Sequence, residues 1–89
     1  MNFLHYELNL GVNEIVEITL DVQANVRLLD ELNFLNYRNG RHYTYYGGLA
    51  RVRPVHLAAP YPGRWHLVID LGGYPGTVQA SVRIVLRQG

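Results

Sequence analysis

The stretch Arg64-Trp65-His66-Leu67-Val68-Ile69-Asp70-Leu71-Gly72-Gly73-Tyr74-Pro75-Gly76-Thr77-Val78-Gln79-Ala80-Ser81-Val82-Arg83-Ile84-Val85-Leu86-Arg87 decides the fold. Over residues 77–87, Val78, Ala80, Val82, Ile84 and Leu86 alternate with Thr77, Gln79, Ser81, Arg83, Val85 and Arg87. That period of two is the signature of a strand with one buried face, and antiparallel sheets leave the other face wet. Residues 64–71 put Trp65, Leu67, Ile69 and Leu71 on one side and His66, Val68 and Asp70 on the other. Between the two runs, Gly72-Gly73-Tyr74-Pro75-Gly76 is dense in turn chemistry. The pattern predicts a β-hairpin over residues 64–87.

Working outward, residues 14–20 alternate with Val16, Ile18 and Leu20 inward. Asp21-Val22-Gln23 turns the chain into residues 24–30, where Val26 and Leu28 face in and Asn25, Arg27 and Leu29 face out. Residues 3–10 set Leu4, Tyr6 and Leu8 against His5 and Glu7. Residues 51–59 read as a weaker strand, because Pro54 has no N–H to donate to a ladder, so this is an edge strand or an interrupted one. One segment reads as a short helical turn, Glu31–Arg38. Asp30 is placed to cap it, Glu31 favours its N-terminal dipole, and Asn39-Gly40 is a natural left-handed stop. The expected architecture is all-β: a compact antiparallel β-sandwich or partly open barrel of six to seven strands with one short helical turn, forming a single domain over residues 1–89.

Composition excludes several chemistries. The 89 residues contain no cysteine, which removes disulfides, thiolate nucleophiles and zinc–sulfur sites. The opening residues have no basic lead and no long apolar run, so no signal peptide is expected. No stretch approaches the roughly 20 apolar residues needed to cross a bilayer, so the expected location is cytoplasmic, without membrane contact. Ser81 is the sole serine and sits mid-strand without a nucleophile-elbow motif. No phosphate-binding loop is present, and the acids read as outward strand or turn positions instead of a facing carboxylate pair. His5, His42, His56 and His66 are scattered without metal-ligand spacing, so no metal and no cofactor are expected. Neighbouring strands can nevertheless join distant histidines, and His5 with Glu7, or His66 with a facing residue, would make half of a site.

Net charge is +1, but it is unevenly spread. Glu7, Glu14, Glu17, Asp21, Asp30 and Glu31 lie in the first 35 residues beside Arg27 alone, whereas every other arginine follows them beside Asp70 alone. Interleaved antiparallel strands would neutralise these charges, and a basic face for an acidic partner is the alternative. Where the balance changes lies Tyr37-Arg38-Asn39-Gly40-Arg41-His42-Tyr43-Thr44-Tyr45-Tyr46-Gly47-Gly48. Tyrosine and arginine offer large contact area with few torsions to freeze, so the segment suits a recognition surface. It equally suits a structural plug, with the rings covering the open end of a small sandwich and Gly47-Gly48 turning the chain. Nucleic acid is disfavoured as a ligand by the near-neutral charge.

Several blocks resemble a known family. They are Phe3-Leu4-His5-Tyr6, residues 24–30, Asn33-Phe34-Leu35-Asn36-Tyr37-Arg38-Asn39-Gly40, Tyr45-Tyr46-Gly47-Gly48, and Gly63-Arg64-Trp65-His66 running on to Leu71-Gly72-Gly73-Tyr74. Together they are similar to a small bacterial all-β domain family of unknown function, found alone or N-terminal to TIR domains. The resemblance implies a sandwich-like fold and implies no catalytic residues.

The leading functional expectation is a non-catalytic recognition module for a protein partner or small-molecule ligand, with Tyr37, Arg38, Arg41, His42, Tyr43, Tyr45 and Tyr46 as its surface. One alternative is an assembly module that forms homo-oligomers through a strand edge. Another is a small enzyme, metal-dependent or acid–base, using His66 and Asp70 with His5 from a neighbouring strand. His66 and Asp70 share a face four positions apart, about 13 Å at strand rise, and so cannot bond directly.

Overall fold

A computed structural model describes residues 3–51 and 54–87. The chain order is β1 (Leu4–Leu10), β2 (Glu14–Leu20), β3 (Ala24–Leu29), α1 (Glu31–Arg38), β4 (Tyr46–Ala50), β5 (Val55–Leu57), β6 (Gly63–Asp70) and β7 (Ala80–Leu86). These strands form two antiparallel sheets, a four-stranded one ordered β1-β6-β3-β4 and a three-stranded one ordered β5-β2-β7. The all-β sandwich is therefore as expected, and no barrel closes.

Apolar positions at period two explain the main core. Val16, Ile18 and Leu20 of the smaller sheet meet Trp65, Leu67, Ile69, Val26 and Leu28 of the larger one, all fully buried or nearly so. β5 lies at an edge, as expected, pairing with β2 through Val16↔Leu57 and Ile18↔Val55, but it is only the three residues after Pro54 and not the whole of residues 51–59. Residues 52 and 53 of the expected strand lie outside the described residues.

The hairpin expected over residues 64–87 does not form. β6 pairs with β1 and β3, whereas β7 pairs with β2 in the other sheet. Residues 71–79 cross between the sheets instead of reversing within one. The reason lies in β6 itself, where every residue from Trp65 to Asp70 is buried, on both faces. A strand covered on both faces is central, and its two edges are taken by β1 and β3. Alternation reports which face is buried, not which strand lies alongside. β7 also begins at Ala80 instead of Thr77, and its far end leaves the core, with Leu86 72% exposed.

α1 occupies the expected residues for local reasons. Asp30 caps it by accepting from the Asn33 amide at 2.8 Å, and Asn39 ends it by donating to Leu35 O. Asn33, an indifferent helix former, is used twice more: its side-chain amide donates to Asp30, and its Oδ1 accepts from the Thr44 amide at 2.9 Å. The helix lies against the outer face of the larger sheet, where Phe34 and Tyr37 join Leu29 and Val68 in a second small core. Leu29 was expected to face out. It does leave the main core, but the helix covers it completely.

Gly47 and Gly48, expected to turn the chain, lie inside β4. Gly47 has φ +130°, and a Cβ there would stand 2.2 Å from the carbonyl oxygen of Val26 on the paired strand. Glycine at this position lets β4 approach β3, which sets where the tyrosines just before it emerge.

Candidate functional site

Two networks of polar side chains occupy the outer face of the larger sheet. The first centres on Asp70 at the end of β6, whose side chain is only 2% exposed. One carboxylate oxygen accepts from Tyr37 Oη (2.6 Å) and Arg27 Nη1 (2.5 Å). The other accepts from Asn25 Nδ2 (3.0 Å) and the Gly72 amide (2.9 Å). Burial alone would raise the Asp70 pKa, but the hydrogen bonds from Tyr37, Asn25 and Gly72 and the Arg27 charge outweigh it and hold the carboxyl below its ordinary value. The same burial, with the bond to an anion, pushes the Tyr37 phenol well above its usual range. Arg27 lies beneath the rings of Tyr37 and Tyr45, 5.9 and 5.3 Å from their centroids, and its Nε has no partner.

This network disperses the tyrosine-rich tract. Tyr37 is 4% exposed and belongs to the second core, so it is not part of any surface. Tyr43 is half-buried, edge-on to Tyr37 and 5.8 Å from Tyr45. Tyr45 sits on the outer face over Arg27 and is 42% exposed. Tyr46, next in the chain, falls on the opposite face by strand alternation. There it is 50% exposed and packs edge-on against Trp65. Arg38 lies over Phe34 at 5.7 Å. Arg41 and His42 are exposed, and neither side chain has a partner among the described residues. The structure thus leaves Arg41, His42, Tyr45 and Tyr46 exposed along the segment that leads into edge strand β4, with the two tyrosines on opposite faces, and it buries Tyr37.

The second network is a chain of three side chains. β1 pairs with β6 in the register His5↔Val68 and Glu7↔His66, placing His5, Glu7 and His66 on one outer face. His66 is buried and bonds through both ring nitrogens, to Glu31 Oε1 at 2.7 Å and to His5 Nε2 at 2.8 Å. A carboxylate only accepts, so Nε2 of His66 carries the proton toward Glu31 and its Nδ1 presents a lone pair toward His5. Phe34 stacks on both rings, at 4.1 Å from His5 and 4.3 Å from His66, and fixes their planes. Burial and the neighbouring His66 lower the His5 pKa, which keeps that ring neutral at neutral pH. The bond from His66 likewise lowers the Glu31 carboxyl.

The sequence had grouped His66, Asp70 and His5. The structure joins His5 to His66 and keeps Asp70 in the other network. Glu31, Phe34, Asn25 and Arg27 were not anticipated in either, because each arrives through the covering helix or a non-local strand pairing. A cleft of about 580 Å³ opens beside Asp70, bounded by Phe3, Leu4, Ile69, Tyr74 and Val78. The Asp70 carboxylate is already fully engaged, so the cleft offers mainly apolar walls.

The fold and its polar face define a small two-sheet domain capped by one helix, and no described helix is long and apolar enough to cross a membrane. Residues 1–88 match the family model of a domain of unknown function, DUF1883, and the chain belongs to that family. No curated protein and no solved structure matches it.

Proposed function

We infer that this domain is a non-catalytic recognition module, engaging a protein partner through Arg41, His42, Tyr45 and Tyr46 at the start of β4. One observation carries this reading. A chain that buries Tyr37 and Trp65 leaves Tyr45 and Tyr46 half out of the core, and the segment just before them carries an exposed arginine and histidine whose side chains have no partner among the described residues. Tyrosine and arginine are residue types that dominate binding energy at protein interfaces. Tyr45 is held in place by Arg27 and Tyr46 by Trp65, so little ordering entropy remains to be lost on binding. The reading also agrees with the resemblance to a bacterial family found alone or N-terminal to TIR domains. By analogy alone, that resemblance supports a sensing role beside an effector, in the cytoplasm.

Affinity capture from cell extract with the purified domain tests this. Tyr45→Ala/Tyr46→Ala should fold and lose at least one protein that the parent domain retains. Val12→Ser, at the exposed β1–β2 turn, should retain it. Tyr43 is left intact because it supports Tyr37. An identical set of captured proteins for the double variant and the parent contradicts the reading, and so does capture of none by either.

A further inference from the structure

We propose that His5, His66 and Glu7 form a divalent transition-metal site of the zinc class, on the outer face of β1 and β6 and separate from the tyrosine surface. One ligand atom from each of the three lies within 4.8 Å of the others. The donor set is two imidazoles and one carboxylate, the combination that open zinc sites use, and it leaves a fourth position for water or a ligand atom. Strand register creates it. Glu7 stands directly across from His66, and His5 is two residues from Glu7 on the same face.

Three further features fit a metal better than a bare hydrogen bond. First, Glu31 holds the remote nitrogen of His66 at 2.7 Å. That is the carboxylate–histidine arrangement which fixes the tautomer and raises the basicity of a metal-bound imidazole. It aims the lone pair of Nδ1 outward, at the point where His5 Nε2 now lies 2.8 Å away. Second, an ion would replace the proton shared by the two rings. With bonds of about 2.0–2.1 Å and tetrahedral angles, the two nitrogens need to stand about 3.3 Å apart, a retreat of about half an ångström. His5 is exposed and can make it, whereas His66 is buried and stays as the anchor. Third, Phe34 stacked on both rings closes the protein side, and the exposed side chains of His5 and Glu7 leave the solvent side open for entry. Glu7 currently accepts from Arg64 at 2.6 Å, an exposed pair that holds its carboxylate near the sheet and exchanges readily.

Calorimetric titration of the metal-free domain with Zn²⁺ tests the site, with Co²⁺ absorption reporting its geometry. The expected result is one ion per chain, a rise in Tm with added Zn²⁺, and the intense visible bands of four-coordinate Co²⁺. His66→Ala empties a buried position and loosens the sheet, so the exposed ligands carry the test. His5→Ala should abolish binding while the domain stays folded, and Glu7→Gln should weaken it. Glu31→Gln should weaken it by about 10-fold to 100-fold, the usual effect of losing such a support. His56→Ala, whose imidazole faces Glu17 in the other sheet, should bind as the parent does. Absence of Zn²⁺ binding by the parent overturns the proposal. Binding that survives the His5→Ala/Glu7→Gln double replacement does so equally, because the ion then sits elsewhere.

Discussion

Asp70→Asn is expected to destabilise the domain by about 3–5 kcal/mol at neutral pH, measured as a lower midpoint in urea unfolding. Removing one partner of a buried ion pair costs this much because the other charge stays behind. Arg27 is the charge left behind, 15% exposed and already carrying an unpartnered Nε. Asparagine does not replace the carboxylate. Its single oxygen can take the place that accepts from Tyr37 and Arg27, but without a full charge for the guanidinium, and its amide then faces two donors, Asn25 Nδ2 and the Gly72 amide, with nothing to accept from them. A domain of this size has about 5–15 kcal/mol in total, so the loss is a large share of its stability. The same carboxylate sets an acid limit. Its folded pKa lies below the ordinary value of 3.8, so its contribution is fully present above that value and is lost as pH falls through the folded one. The parent domain should therefore lose stability on acidification below about pH 4, and Asp70→Asn should show a shallower dependence there. Equal midpoints for the two proteins at neutral pH would contradict this account of the network.

Trp65→Ala should cost about 3–5 kcal/mol as well, the range for deleting a buried indole. Its ring is 1% exposed, packs with Leu67 and Ile69 in the main core, and donates from Nε1 to Tyr61 O at 3.1 Å. Two half-exposed tyrosines, Tyr46 and Tyr61, rest on its edges at 6.0 and 4.9 Å. Deleting the indole thus removes the wall that orients Tyr46, in addition to opening a cavity. A fall in the unfolding midpoint accompanied by loss of Tyr46 chemical-shift dispersion is the expected pair of results. A small midpoint change with Tyr46 unmoved would mean that Trp65 is not the anchor.

What was legible in the sequence was whatever local chemistry encodes. The helix Glu31–Arg38 was readable because Asp30 and Asn39-Gly40 mark its ends within a few residues. Strand positions and their inward faces were readable because Val16, Ile18 and Leu20, or Trp65, Leu67 and Ile69, recur at period two. Pairing was not readable, since β6 and β7 differ in sheet although a turn-rich loop joins them. The burial of Leu29, Val68 and Tyr37 was hidden for a related reason: a single short helix covers the face that the pattern had left to solvent. His66 and His5 lie far apart in the chain, and no spacing links them until Glu7 is set opposite His66 by the β1–β6 register. Tyr45 and Tyr46 looked like one patch, yet adjacent residues entering a strand point to opposite faces, so they grip the edge of β4 from both sides.

The most direct test of that edge as a recognition surface is photocrosslinking in cells from single positions. A domain carrying Tyr46→p-benzoylphenylalanine is predicted to form a discrete adduct with a partner protein, and the same probe at Val12 is predicted to form none. No adduct from position 46, or the same adduct from both positions, would contradict the assignment.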